Sequence, residues 1–208
     1  MLKGRLKILD TNSRIEKNIF QASEDEIKKI FQKAKIRIHS EIINLVIEAL
    51  SSCPEIISLQ SGKLKYDFGL DFDPTTEIIY AIGNSVQVYF KDFRFTKANV
   101  KNVFSVYIQP TDFANILALP SSKVITELGT QLPWLLWLLT QGDAIIITQY
   151  SVSYTTDSPS SRSGGAIMKP YGFFKVDSAY SGTREDNFIT RALENYQSRI
   201  SDIIRTNL

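Results

Sequence analysis

From Ile27 onward the apolar residues recur at spacings of three and four: Ile27, Phe31, Ala34, Ile38, Ile42, Leu45 and Ala49, with Ile30, Ile43, Val46 and Leu50 widening the stripe. That period predicts a helix with one broad buried face, ending near Ser51 and before Pro54. Just upstream, Ser23-Glu24-Asp25-Glu26 has the form of a capping box, in which the serine hydroxyl and the glutamate carboxylate each take one of the free amides of a first turn. The helix is therefore expected to begin there. Residues 1–22 show no sustained period and mix Lys3, Arg5, Lys7, Arg14 and Lys17 with Asp10 and Glu16, which predicts an N-terminal arm that orders only where it docks.

Beyond Pro54, two short runs at 55–59 and 63–68 flank Gln60-Ser61-Gly62 and are expected to pair as a hairpin. Asp73-Pro74 has the form of an N-cap followed by proline, and a short helix over 75–82 should follow, closed by Gly83. Strict alternation over 85–90, with Val86, Val88 and Phe90 on one side, predicts a strand with one buried face, and 103–109 repeats the pattern. A helical piece is expected around 111–117 and a short apolar helix over 131–140, which contains Trp134 and Trp137, with Pro133 near its start and Gly142 near its end.

Residues 144–154 and part of 166–176 are rich in Ile, Val and aromatic residues and predict two strands. Between them, 155–165 holds small polar residues, glycine and Arg162, so a hairpin loop projecting from the domain is expected. Thr183 before Arg184-Glu185-Asp186, then Ile189, Leu193, Tyr196, Ile200, Ile203 and Ile204, predicts a C-terminal helix over 184–205. The expected architecture is an arm at 1–22 and one α+β domain at 23–208, with an antiparallel or mixed β-sheet packed with long N-terminal and C-terminal helices.

Composition narrows the function classes. At 43% hydrophobic and 22% charged residues the chain reads as an ordinary folded protein. A net charge of +2 makes neither nucleic acid nor an anionic membrane the default partner. One cysteine, Cys53, forms no internal disulfide, and no run of about 18 apolar residues is available to span a bilayer. A soluble protein made in the cytoplasm is the expectation.

Candidate chemistry is sparse. The single histidine, His39, sits within the first helix, and with one Cys beside it a zinc site would lack the usual nitrogen and sulfur ligands. Asp67-Phe68-Gly69 copies a magnesium-binding tripeptide of protein kinases without the glycine-rich and catalytic loops that give it meaning, so Asp67, Asp71 and Asp73 are read as a solvated acidic turn. Ser61-Gly62-Lys63 lacks the earlier glycine of a phosphate-binding loop. Ser161-Arg162-Ser163-Gly164-Gly165 is the best small-anion candidate, through its backbone amides and the Arg162 charge. No catalytic residue, cofactor or metal is expected. Arg162, Ser163, Trp134 and Trp137 are instead the candidate subunit-interface residues, because arginine and tryptophan are favoured at buried contacts between proteins.

Four blocks carry a resemblance: Ser58-Leu-Gln-Ser-Gly-Lys-Leu-Lys-Tyr-Asp-Phe-Gly69, Thr126-Glu-Leu-Gly-Thr-Gln-Leu-Pro-Trp-Leu-Leu-Trp-Leu-Leu-Thr-Gln-Gly142, Arg162-Ser-Gly-Gly-Ala-Ile-Met168 and Ser181-Gly-Thr-Arg-Glu-Asp-Asn-Phe-Ile-Thr-Arg-Ala-Leu193. Together they resemble tailed-bacteriophage virion proteins of the head-to-tail junction, the neck, tail-completion and tail-terminator proteins. The arm at 1–22 and residues 169–174 fall outside the resemblance. It implies a non-enzymatic structural protein located in the virion, forming a homo-oligomeric ring, a hexamer or dodecamer, against portal or connector and tail proteins. No membrane and no sequence-specific nucleic acid are implied, although the genome would pass through the ring. The alternatives are a tail tube, tail terminator or baseplate component, and then a small-molecule-binding enzyme using Arg162, Ser163 and the acidic turn at 67–73.

Overall fold

The structure is a computed structural model that describes residues 11–90, 94–96, 99–101, 104–126, 129–155 and 158–208. Residues 1–10 of the expected arm, Val103 of the expected strand and residues 156–157 of the expected loop lie outside the described residues.

Helix α1 runs from Asn12 to Ser51, so it starts well before the expected capping box. Ser23 lies inside the helix, where its hydroxyl donates back to the carbonyl of Ile19 at 2.8 Å instead of capping a free amide. From Ala34 the expected stripe is buried: Ala34, Ile38, Ile42, Leu45, Val46, Ala49 and Leu50 all face the core. Before Ala34 no described side chain is buried, and Ile19 and Ile30 are more than half exposed. The expected arm is thus helical from Asn12, and roughly 30 Å of helix precedes the core-bound half.

The expected hairpin at 55–68 is two short helices, α2 (Pro54–Ser61) and α3 (Lys63–Asp67). Proline at the first position starts α2, and the Ser58 hydroxyl accepts from the amide of Leu64 at 3.0 Å, fixing the joint between the helices. Ile56, Leu59 and Leu64, spaced for a helix face, are fully buried. Helix α4 (Thr75–Asn84) follows, with Asp73 accepting from the Thr75 amide at 2.9 Å; Gly83 lies within it, facing Ile47 of α1, rather than after its end.

Strands β1 (Gln87–Phe90), β2 (Arg94–Thr96), β3 (Asn99–Lys101) and β4 (Phe104–Tyr107) form two antiparallel pairs, β1 with β4 and β2 with β3. A short α5 (Ala114–Leu117) and a 3-10 turn at Pro120–Ser122 lead to β5 (Val124–Ile125), paired with β6 (Gln131–Leu132). Helix α6 (Trp134–Thr140) follows, and then the longest ladder, β7 (Ile147–Tyr154) against β8 (Ala166–Phe174). The fold is α+β as expected, but among the described residues the strands form separate two-stranded ladders in place of one sheet. Helix α1 packs against β1 and Asp67 of α3 is bonded to Tyr154 of β7, so helices and not further strands lie against these short ladders.

The expected C-terminal helix is two, α7 (Phe188–Glu194) and α8 (Gln197–Asn207). The true start is Asn187, whose side chain accepts from the amides of Ile189 and Thr190 while the Thr190 hydroxyl accepts from the Asn187 amide at 2.9 Å. α1 packs against α4, α7 and α8, and one continuous core runs from Ile38 and Ile42 through Leu59, Ile78 and Trp134 to Phe188. Each such fully buried side chain contributes about 1.5–3 kcal/mol of transfer free energy.

Candidate functional site

Lys63 and Asp67 stand one helical turn apart on α3, and Lys63 Nζ lies 2.7 Å from Asp67 Oδ2. The hydroxyl of Tyr154, the last residue of β7, donates to the other oxygen, Asp67 Oδ1. Lys63 also sits over the Tyr154 ring, 5.3 Å from its centroid, and 3.5 Å from Asp177 Oδ2 just beyond β8. Partial burial pulls Lys63 down, but the hydrogen bonds and charges of Asp67 and Tyr154 together outweigh this and hold the ammonium above its ordinary range. Burial, reinforced by Asp67, raises the Tyr154 phenol. The Ala179 amide, and Lys63 after it, hold Asp177 below the usual carboxylate range. The Asp67 side chain is only 4% exposed, so the expected solvated turn is confined to Asp71 and Asp73. With both its oxygens engaged, Asp67 acts as a clasp between α3 and the β7–β8 ladder.

Beside this clasp lies a cleft of about 870 Å³, walled by Phe68 and Gly69 on one side, Trp137 and Leu132 on another, and Ile147 and Phe174 of the ladder. Its rim carries Arg162, Thr126 and Ser160. Arg162 Nη1 donates to the Ile125 carbonyl at 3.1 Å, and the guanidinium lies across Gly69, whose φ of +63° and missing side chain give it room. At Gly165 a side-chain carbon would stand 2.3 Å from the Tyr66 ring, so the loop has closed onto α3. The described part of the expected projecting loop, 158–165, therefore folds back over the cleft, because Arg162 and Gly165 bind it to the body of the domain. Ser161 turns inward as well, its hydroxyl donating to the Ala166 carbonyl at 2.7 Å.

Of the four sequence-predicted interface residues, Arg162 and Trp137 meet at the cleft. Ser163 adjoins Arg162, with a buried hydroxyl that has no hydrogen-bond partner among the described residues. Trp134 is fully buried, its indole N–H donating to the Ser121 carbonyl at 2.9 Å and its ring 5.4 Å from Phe68. It belongs to the core and offers no surface for a partner. Trp137 is half-buried, 6.3 Å from Phe174.

His39 is half-buried and its Nε2 donates to the carbonyl of Val86 at 3.0 Å, joining α1 to the residue that precedes β1. Cys53 is buried at the start of α2, and desolvation pushes its thiol up to about 11. Among the described residues no group of three or more His, Cys, Asp and Glu is placed to hold a metal ion, and no single helix is long and apolar enough to cross a membrane.

Sequence reasoning missed the Lys63–Asp67–Tyr154 clasp and the exposed aromatic residues of the β7–β8 ladder. The ladder leaves Tyr150, Tyr154, Met168, Tyr171 and Phe173 exposed, with Tyr171 at 86%. A signal for the second was present: Pro170 and Gly172 inside an otherwise strand-like run mark an edge or a bulge. Compared with protein families, with curated proteins and with solved structures, the chain finds no match in any of the three.

Proposed function

We propose that this chain is a non-enzymatic structural component of a tailed-phage virion, forming a ring in the neck or connector region that joins the capsid portal to the tail. The observation that carries this reading is the unburied first half of α1. Over these twenty-odd residues of helix no described side chain is buried, Phe31 meets Phe90 edge-on at 5.6 Å, and Ile19 is 60% and Ile30 54% exposed to solvent. An isolated helix of that length is marginal in water, and its apolar side chains gain a burial site when it lies against a neighbouring subunit. A repeated contact of one subunit on the next closes into a ring when the rotation allows it.

The chemistry of the interior supports the same reading. His39, Asp67 and Lys63 are each engaged in holding elements together, and the resemblance of the four sequence blocks is to proteins of the head-to-tail junction.

Electron microscopy of the negatively stained full chain tests the proposal: closed rings of six or twelve subunits are expected, and a field of single particles contradicts it. An antibody to the chain should label intact particles where capsid meets tail. Label along the tail or at its far end favours the tail tube or baseplate alternative.

A further inference from the structure

The β7–β8 ladder has a bulge that ejects one tyrosine. Between the pairs Thr148↔Phe173 and Tyr150↔Pro170, β7 supplies Gln149 while β8 supplies both Tyr171 and Gly172. All three have positive φ, 71° at Gln149, 74° at Tyr171 and 95° at Gly172. That conformation is ordinary for glycine and strained for a tyrosine. An extra residue of this kind re-aims a side chain and increases the local twist. The result here is a phenol ring 86% exposed, and Tyr171 is not among the residues that line the cleft of its own chain.

The cleft offers the complementary shape. At about 870 Å³ it lies within the usual range for a binding pocket, with Trp137, Leu132 and Phe174 forming apolar walls and Arg162 on the rim. Arg162 uses one N–H on Ile125, leaving others for a phenol oxygen. The charges also match. Lys169, two residues before Tyr171, has no ion-pair partner among the described residues, and neither has Asp71, two residues beyond Gly69 in the cleft wall.

We infer that Tyr171 of one copy inserts into the cleft of the next copy, its ring against Trp137, its hydroxyl accepting from Arg162, and Lys169 facing Asp71. The contact joins two different patches, so it is heterologous and propagates around a ring. A rigid aromatic seated in an apolar pocket is the usual anchor of such an interface. This inference rests on the ring assembly proposed above.

The test uses the full chain carrying Cys53→Ser. Two further variants that keep Tyr171, Lys169→Cys and Asp71→Cys, are mixed and treated with a short bis-maleimide linker. A covalent dimer from the mixture, and from neither variant alone, is expected, together with self-association of Tyr171→Ala weakened roughly 30-fold or more while its circular dichroism is unchanged. If wild-type chain forms rings but the mixture yields no linked dimer, or Tyr171→Ala assembles as wild type, the inference is overturned and the ring stands. Lys169→Cys linking to itself also overturns it, because that contact would be symmetric. A wild-type chain that stays monomeric overturns both.

Discussion

Arg191 of α7 reaches 136 residues back along the chain to the buried carboxylate of Glu55, with Nη2 and Oε1 2.7 Å apart. The same guanidinium also donates to the Tyr180 and Ser181 carbonyls and to Asp186, so one side chain fastens α7, the 180–186 turn and the start of α2. Glu55 is 5% exposed, and without Arg191 its charge would be left buried.

Arg191→Ala should therefore lower stability by about 1–3 kcal/mol, the lower end of the cost of breaking a buried pair because Arg191 is itself partly solvated. A urea titration reads this as a lower midpoint. Glu55→Gln, which leaves no stranded charge, should cost less, and the reverse order would show that the pair does not govern this corner.

The two tryptophans should separate clearly. Trp134→Ala removes a fully buried ring and its hydrogen bond and should cost about 3–5 kcal/mol. Trp137→Ala, from a half-buried cleft wall, should cost about 1–3 kcal/mol. Equal losses in thermal or urea unfolding would contradict these placements.

On the alkaline side three groups act in one direction. Cys53, desolvated, rises from about 9 to about 11, and Tyr154 and Lys63 are also raised in the fold. A raised native pKa means that stability is complete below the unfolded value and is lost as pH climbs through the folded one. The melting temperature should fall from about pH 9 upward, and Tyr154→Phe should flatten that fall. Cys53 in the folded chain should react with a thiol reagent far more slowly than in urea; equal rates would place the thiol at the surface.

On the acid side Asp177 behaves oppositely. Its pKa is lowered, so its contribution is present above the ordinary aspartate value and disappears as pH drops through the folded one. Asp177→Asn should weaken the pH dependence of stability below about pH 4, measured by unfolding at successive pH values.

The long stripe of α1 survived the passage from sequence to structure, as did the shorter readings that became α4, β1, α6, β7 and β8, whereas the start of α1, the hairpin at 55–68 and the unbroken C-terminal helix did not. The α1 stripe from Ala34 to Leu50 was legible because packing enforces its period along several turns. The start of α1 was not, since Ser23-x-x-Glu26 satisfies the capping pattern equally well from inside a helix, where the serine bonds back to Ile19. Residues 55–68 were misread because Ser61-Gly62 resembles a hairpin turn, and runs of five or six residues carry too few positions to tell a period of 2 from 3.6. Asn187, not Thr183, begins α7, and its Asn-x-x-Thr box was visible but masked by the acidic residues before it. Arg162 and Trp137 were found as surface candidates from residue type alone. The Asp67–Tyr154 clasp joins residues 87 apart in sequence and left no local trace.

Assembly through the first half of α1 is tested most directly by sedimentation velocity of the full chain beside its Ile19→Asp/Ile30→Asp variant. Both side chains are exposed in the single subunit, so the variant should keep its circular dichroism and melting temperature. Wild-type chain should sediment as a closed oligomer of six or twelve copies, and the variant as the 23.6 kDa monomer. A wild-type chain that is monomeric throughout, or a variant that assembles equally well, would contradict the assignment of α1 to the ring contact.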